Sequence, residues 1–311
     1  MSKTGISWTD ETWNPTVGCS KVSTGCNGCY ALKGAWRMAH NPNLKIRAAY
    51  AGTVEKRNGK LQWTGRVNCL PDRLEQPLHW KKPHRIFVDS MSDLFHPDVP
   101  FKFIAKVWNT MFDCGSGDYC KQQHIFQILT KRPERALEFA KWMKANHRAM
   151  DYRNVWLGVS VEDQATANER IPILLQTPAA VWWVSMEPLL ALTDIRPWLR
   201  QYRCRKCWDR GWMGDPSSGC PYCNPGLEWK SGSVIAGSPK GDQLLNWVIV
   251  GGESGPDHRT LDIDWIRQTV EQCKTAGVPV FVKQDSGPKP GQQGRIPDDL
   301  WIKEMPEVGG A

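Results

Sequence analysis

From residue 84 onward, short apolar runs alternate with amphipathic stretches. The runs are rich in β-branched and aromatic residues and fall at Arg85–Asp89, His124–Leu129, Val155–Val161, Val181–Ser185, Trp247–Val250 and Pro279–Val282. Their shortness and tight bounds predict buried parallel strands. Between them, Phe101, Ile104, Ala105, Trp108, Met111 and Phe112 share one helical face. Ile266, Val270 and Cys273 share another, which Gly277 is placed to end as a C-cap. Strands alternating with helices predict an α/β fold whose mostly parallel sheet is open or closed into a barrel.

Polar residues follow each run, at the strand ends where α/β folds build their sites. Asp89, Ser90, Met91, Ser92 and Asp93 follow the first, and Thr130, Lys131 and Arg132 the second. Ser160 and Glu162 end the third, Ser185 and Glu187 the fourth. Gly251, Gly252, Glu253 and Ser254 follow the fifth, and Lys283, Gln284 and Asp285 the last. One such set is ordinarily a helix cap. Six at the same end predict the rim of a site.

Two regions break the rhythm. Residues 52–70 read as a β-hairpin turning at Asn58-Gly59. Residues 199–240 lose periodicity and gain glycine, proline and serine, as an insertion does. The division expected is a barrel over 1–198, an insertion over 199–240, and the rest of the barrel over 241–311.

Cysteine usage changes the picture most. Of 11 cysteines, seven fall in two clusters. No apolar run could serve as a signal peptide or a transmembrane helix, so a cytoplasmic protein is expected, in which thiols stay reduced and clustered cysteines bind metals. Cys69, Cys114, Cys120 and Cys273 read as ordinary small core or surface residues. Cys204 and Cys207, then Cys220 and Cys223, form two C-x2-C knuckles separated by twelve residues. This predicts a zinc ribbon, with a rubredoxin-like iron or an auxiliary cluster as alternatives. Cys19, Cys26 and Cys29, in C-x6-C-x2-C spacing, sit on one glycine-bearing loop. Three thiolates there can hold three irons of a [4Fe–4S] cluster and leave the fourth iron open. A zinc site completed by a distant ligand such as His40 or His79, or a purely structural cluster, explains the spacing equally well.

Six sequence blocks point further. Trp8 through Tyr30, Phe87–His96, Leu129–Pro133, Gly158–Glu162, Ser185–Leu189 and Val250–Gly255 together resemble a phage and bacterial three-cysteine-motif family of radical S-adenosylmethionine (SAM)-like proteins. The resemblance implies a partial (βα)6 barrel of the TIM type, with the cluster loop 19–29 after a first strand near Ile6–Trp8. It implies a [4Fe–4S] cluster on Cys19, Cys26 and Cys29, with SAM on its open iron, cleaved reductively to a 5′-deoxyadenosyl radical. The spacing exceeds the superfamily's commonest C-x3-C-x2-C by three residues, and Gly28 stands where an aromatic residue is usual.

On the same resemblance, Ser90 and Asp93 would accept the methionyl amine, and Ser160 and Glu162 the ribose hydroxyls. Lys131 and Arg132 would pair with the SAM carboxylate or a substrate phosphate, leaving Glu187, Glu253 and Lys283 for substrate binding or proton transfer. Gly251-Gly-Glu resembles the superfamily's amine-binding motif but falls on the sixth strand instead of the second. An electron donor of the flavodoxin or ferredoxin type is implied, and a three-Cys-motif partner protein is plausible.

A net charge of +8, 17 tryptophans and Arg203, Arg205, Lys206 and Arg210 around the first knuckle favour a nucleic-acid base or nucleotide as substrate. Two rivals stand beside this reading. One is a non-catalytic nucleic-acid-binding protein stapled by iron–sulfur and zinc sites. The other is a repair lyase resembling spore photoproduct lyase.

Overall fold

A computed structural model describes residues 4–115, 123–146, 153–199 and 244–307. In chain order it begins with β1 (Glu11–Trp13), β2 (Thr16–Val17), α1 (Ala31–Ala39), α2 (Leu44–Ala49), β3 (Val54–Arg57), β4 (Lys60–Trp63) and β5 (Asn68–Cys69). There follow β6 (Arg85–Val88), α3 (Phe101–Asp113), β7 (Ile125–Thr130), α4 (Pro133–Ala145), β8 (Val155–Ser160), α5 (Gln164–Leu174) and β9 (Val181–Met186). Last come β10 (Trp247–Val250), α6 (Ile263–Ala276) and β11 (Val280–Val282).

Seven strands form one curled half-barrel sheet in the order β1-β6-β7-β8-β9-β10-β11, every neighbouring pair parallel. All six strands expected from the apolar runs are present. The first strand is not: it lies at Glu11–Trp13 instead of near Ile6–Trp8, and the sheet has seven strands where a six-stranded barrel was expected.

Alternation along each strand explains both the layers and the misplaced strand. Ile86, Val88, Phe126, Ile128, Leu157, Val159, Val248 and Val250 face the main core, which they share with buried residues of α3, α4, α5 and α6. Phe87, Trp156, Trp183, Trp247, Ile249 and Phe281 point the other way and form a second core on the concave face. Trp8 belongs to that second core, with its ring 4.8 Å from Phe87 and 5.3 Å from Trp183. An indole at that position is worth more as a plug than as a strand residue, so the chain turns inward and pairing starts only at Glu11. A Cβ on Gly158 of β8 would come within 2.5 Å of the Trp183 ring, so that glycine makes room for Trp183, on which Trp8 packs.

Phe112 corrects the reading of α3. It is exposed, while Val107 and Phe103 are buried, so the helix is rotated slightly from the expected face. Gly277 caps α6 in the left-handed conformation, as the sequence predicted. Cys114 and Cys273 are buried core residues.

The 52–70 region divides in two. The hairpin proper is β3–β4, turning at Asn58 and Gly59 with φ of 49° and 78°, while β5 leaves it to pair with β2. Both positive φ values match a tight two-residue hairpin turn. Gly59→Ala is therefore expected to cost about 1 kcal/mol, read from the urea midpoint, with little change in the slope.

Residues 200–243, which include most of the expected insertion and all four ribbon cysteines, lie outside the described residues. The flanking chain is joined: Leu245 N–H donates to the Trp198 carbonyl at 2.9 Å. Among the described residues no helix is long and apolar enough to cross a membrane.

Candidate functional site

Because the strands run parallel, the polar residues after β6 to β11 gather at one mouth. A pocket of about 140 Å³ opens there, lined by Cys19, Cys26, Cys29, Asp89, Ser90 and Ser160, with Trp63, Tyr30 and Leu129 as apolar walls. Neither His40 nor His79 lines it. His40 is instead turned onto its own helix, Nδ1 meeting the Trp36 carbonyl at 2.8 Å.

The cysteine loop lies over the mouth and is held on both sides. Arg132, at the start of α4, donates to the Ser20 carbonyl (3.1 Å), to Ser20 Oγ (2.9 Å) and to Asp93 (2.8 Å), with Cys19 Sγ at 4.0 Å. The Asp98 N–H donates to His96 Nδ1, which puts the ring proton on Nε2, where it reaches Ser20 Oγ at 2.8 Å. Beyond β8, Ser23 Oγ donates to Glu162 at 2.7 Å. Beyond β10, Arg259 pairs with Glu253 at 2.7 Å and donates to the Thr24 carbonyl at 3.2 Å.

Two glycines allow this close seat. A Cβ on Gly25 would come within 2.3 Å of the Glu162 carboxylate, and one on Gly28 within 2.1 Å of Glu253. This accounts for Gly28 where an aromatic residue was expected: the loop touches the β10 rim at that point.

Of the rim residues, Asp93, Lys131, Arg132, Ser90 and Ser160 line the pocket, while Glu162, Glu187, Glu253 and Lys283 are not part of its lining. Asp93 is engaged on both oxygens, accepting from Phe95 N–H, Thr130 Oγ1, Lys131 N–H and Arg132. Glu162 is fully buried and takes Lys131, Arg170 (3.0 Å) and Ser23. Burial works to raise its carboxyl, but Lys131 and Arg170 more than offset that and hold it below the usual range. Glu187 pairs with Lys283 at 3.0 Å. Ser90, whose Oγ donates to Asn14, and Ser160 line the pocket.

Among the described residues no three His, Cys, Asp or Glu side chains stand close enough together to hold an ion. Cys19, Cys26 and Cys29 nevertheless line the same pocket, and its lining contains neither histidine nor a further cysteine. The lining carboxylates that could close a tetrahedral zinc, Asp89 and Asp93, already accept from Thr16 and from four donors respectively, so the donor set fits a three-thiolate cluster better. Burial pushes the Cys19 thiol up to about 12 and raises that of Cys29, so metal binding there releases protons.

Sequence reasoning missed several residues. Arg170, Arg259, Ser20 and Ser23 hold the loop or its carboxylate partners, and nothing in their spacing marks them. Asp89, grouped only with the first polar set, is a strongly perturbed group of the pocket. It follows β6 at φ 61° and accepts Thr16 N–H at 3.0 Å and Thr16 Oγ1 at 2.9 Å. Burial lifts its carboxyl to about 8.

A group raised in this way stabilises the fold fully below its ordinary value of 3.8 and loses that contribution as pH rises through about 8. Asn tolerates the same backbone conformation and does not titrate. Asp89→Asn is accordingly expected to gain on the wild type by up to roughly 1.4 kcal/mol per pH unit between about pH 5 and 8, measured by urea unfolding.

A parallel half-barrel whose C-terminal mouth carries a thiol loop and a charged rim defines an α/β protein with a pocket at that rim. The chain belongs to the family DUF5131, described as a protein of unknown function, which it matches over residues 3–306. No curated protein and no solved structure matches it.

Proposed function

We propose that this chain is a radical SAM enzyme working at the mouth of the half-barrel. The observation carrying the reading is that Cys19, Cys26 and Cys29, all from one loop, line a single pocket that offers no histidine or further cysteine. When bound on those thiolates, a [4Fe–4S] cluster would supply the electron and the open iron for reductive cleavage of SAM.

The chain's own residues then have distinct tasks. Asp89, Ser90 and Ser160 line the pocket and supply polar partners for an amine and for hydroxyls. Asp93 has no acceptor left over, so the amine falls to Ser90 and Asp89. Arg132 and Lys131 hold the loop and Glu162, which makes them positioning residues before they are anion ligands. Glu187 and Lys283, which follow β9 and β11 and form an ion pair outside the pocket lining, would exchange a proton with the substrate. A flavodoxin- or ferredoxin-type donor would deliver the electron, a three-Cys-motif protein remains a proposed partner, and zinc is proposed for Cys204, Cys207, Cys220 and Cys223.

Anaerobic reconstitution with iron and sulfide, followed by SAM, tests the reading. A SAM-dependent change in the cluster's electron paramagnetic resonance spectrum, with 5′-deoxyadenosine released after dithionite, supports it. A correctly assembled cluster indifferent to SAM sinks it in favour of a structural staple.

A further inference from the structure

The positive charge of this protein is concentrated in one place. The chain holds 40 lysines and arginines against 32 aspartates and glutamates, a net of +8. Residues 19–69 contain nine of the former and only Glu55 of the latter, also +8, which leaves 31 of each sign for everything else. All nine cations are exposed, among them Lys33, Arg37, Arg47, Lys56, Arg57 and Lys60. Among the described residues, only Lys45 of the nine lies within ion-pair distance of a carboxylate, Asp72 at 3.0 Å.

Seven of the nine, all but Lys21 and Arg66, sit on a built layer. Helices α1 and α2 and the β3–β4 hairpin pack on one another around their own small core of Val17, Ala35, Tyr50 and Val54. The layer abuts the pocket. Half-buried Trp63, at the end of β4, and Tyr30, at the start of α1 and 57% exposed, both line it.

We propose that this basic layer binds the backbone of a single-stranded nucleic acid and leads an unpaired base to the pocket across Tyr30 and Trp63. Exposed cations without carboxylate partners suit a regular polyanion, and flat aromatic side chains beside them suit bases. An anionic membrane fits less well, because the exposed apolar side chains of this segment, Val22, Tyr30 and Leu44, come from the cysteine loop, the start of α1 and the start of α2 and form no single helix face to insert. An acidic protein would use the cations but not the aromatic pocket wall. The delivery of a base rests on the reading of the pocket as the active site; backbone binding does not.

Fluorescence anisotropy of the full reconstituted chain with short, labelled, mixed-sequence single-stranded DNA and RNA tests the inference. The variant Arg37→Glu/Arg57→Glu/Lys60→Glu is compared with Lys102→Glu/Lys106→Glu/Lys141→Glu, which makes the same charge change on exposed positions of α3 and α4. The first variant is expected to lose more than about tenfold in affinity and to flatten the salt dependence by roughly one unit of slope per lost contact. The second should change by less than about twofold. Equal losses in the two variants overturn the inference, as does competition by polyglutamate or anionic vesicles at matched charge. SAM is added to each sample as a separate readout. Patch-dependent binding beside a cluster indifferent to SAM keeps the nucleic-acid surface and removes the enzyme reading. A SAM response without oligonucleotide binding does the reverse.

Discussion

Cys26→Ala is expected to abolish cluster assembly and, with it, all release of 5′-deoxyadenosine. The loss should exceed the roughly 10–100-fold that changes around a metal's outer partners cost, because a direct ligand is gone. Iron and sulfide content and the visible absorbance of the reconstituted protein give the first measurement; SAM cleavage gives the second. Cys19→Ala and Cys29→Ala should behave alike. Cys114→Ala, buried at the end of α3, is the control and should keep the cluster. If a Cys26→Ala protein binds iron and sulfide like the wild type, these three residues are not its ligands.

Glu162→Gln is the second large effect. The carboxylate is fully buried between Lys131 and Arg170, and the Arg170 side chain is only 3% exposed. Removing the anion strands two cations, one of them deep, at a cost of about 3–5 kcal/mol. The lowered carboxyl sets the sign of the pH effect. Its stabilisation is present above its ordinary value of 4.5 and is lost as pH falls through the lower value it has in the fold. The wild type should thus lose its advantage over Glu162→Gln in acid. Adding Arg170→Met to Glu162→Gln should recover much of the loss, since the deep uncompensated cation is then removed. A Glu162→Gln protein as stable as the wild type at neutral pH would show that the buried network contributes nothing net.

The strands were legible because a strand buried on both faces leaves an unbroken apolar run. The six runs from Arg85 to Val282 therefore marked their own positions, and parallel pairing carried their polar ends to one mouth. β1 was hidden by its brevity and by Trp8, whose apolar bulk reads like a strand residue although it serves as a plug. Cysteine spacing located the thiol loop, and glycine content allowed for its turns. What grips that loop was not legible. Arg132, Glu162 and Glu253 stood out only as strand-end polar residues; their ion-pair partners lie 39, 8 and 6 residues away, and the loop contacts that recruit them span more than a hundred. Asp93 shows the limit plainly: its type and position suit an amine acceptor, yet four donors already occupy it.

The loop that starts beside one edge strand of an unclosed sheet finds its farthest support in the segment that follows β10, close to the opposite edge. It therefore behaves as a clasp. Sulfur spacing and sheet curvature are tied through Gly25 and Gly28, so any motion that widens the mouth also pulls on the cysteines.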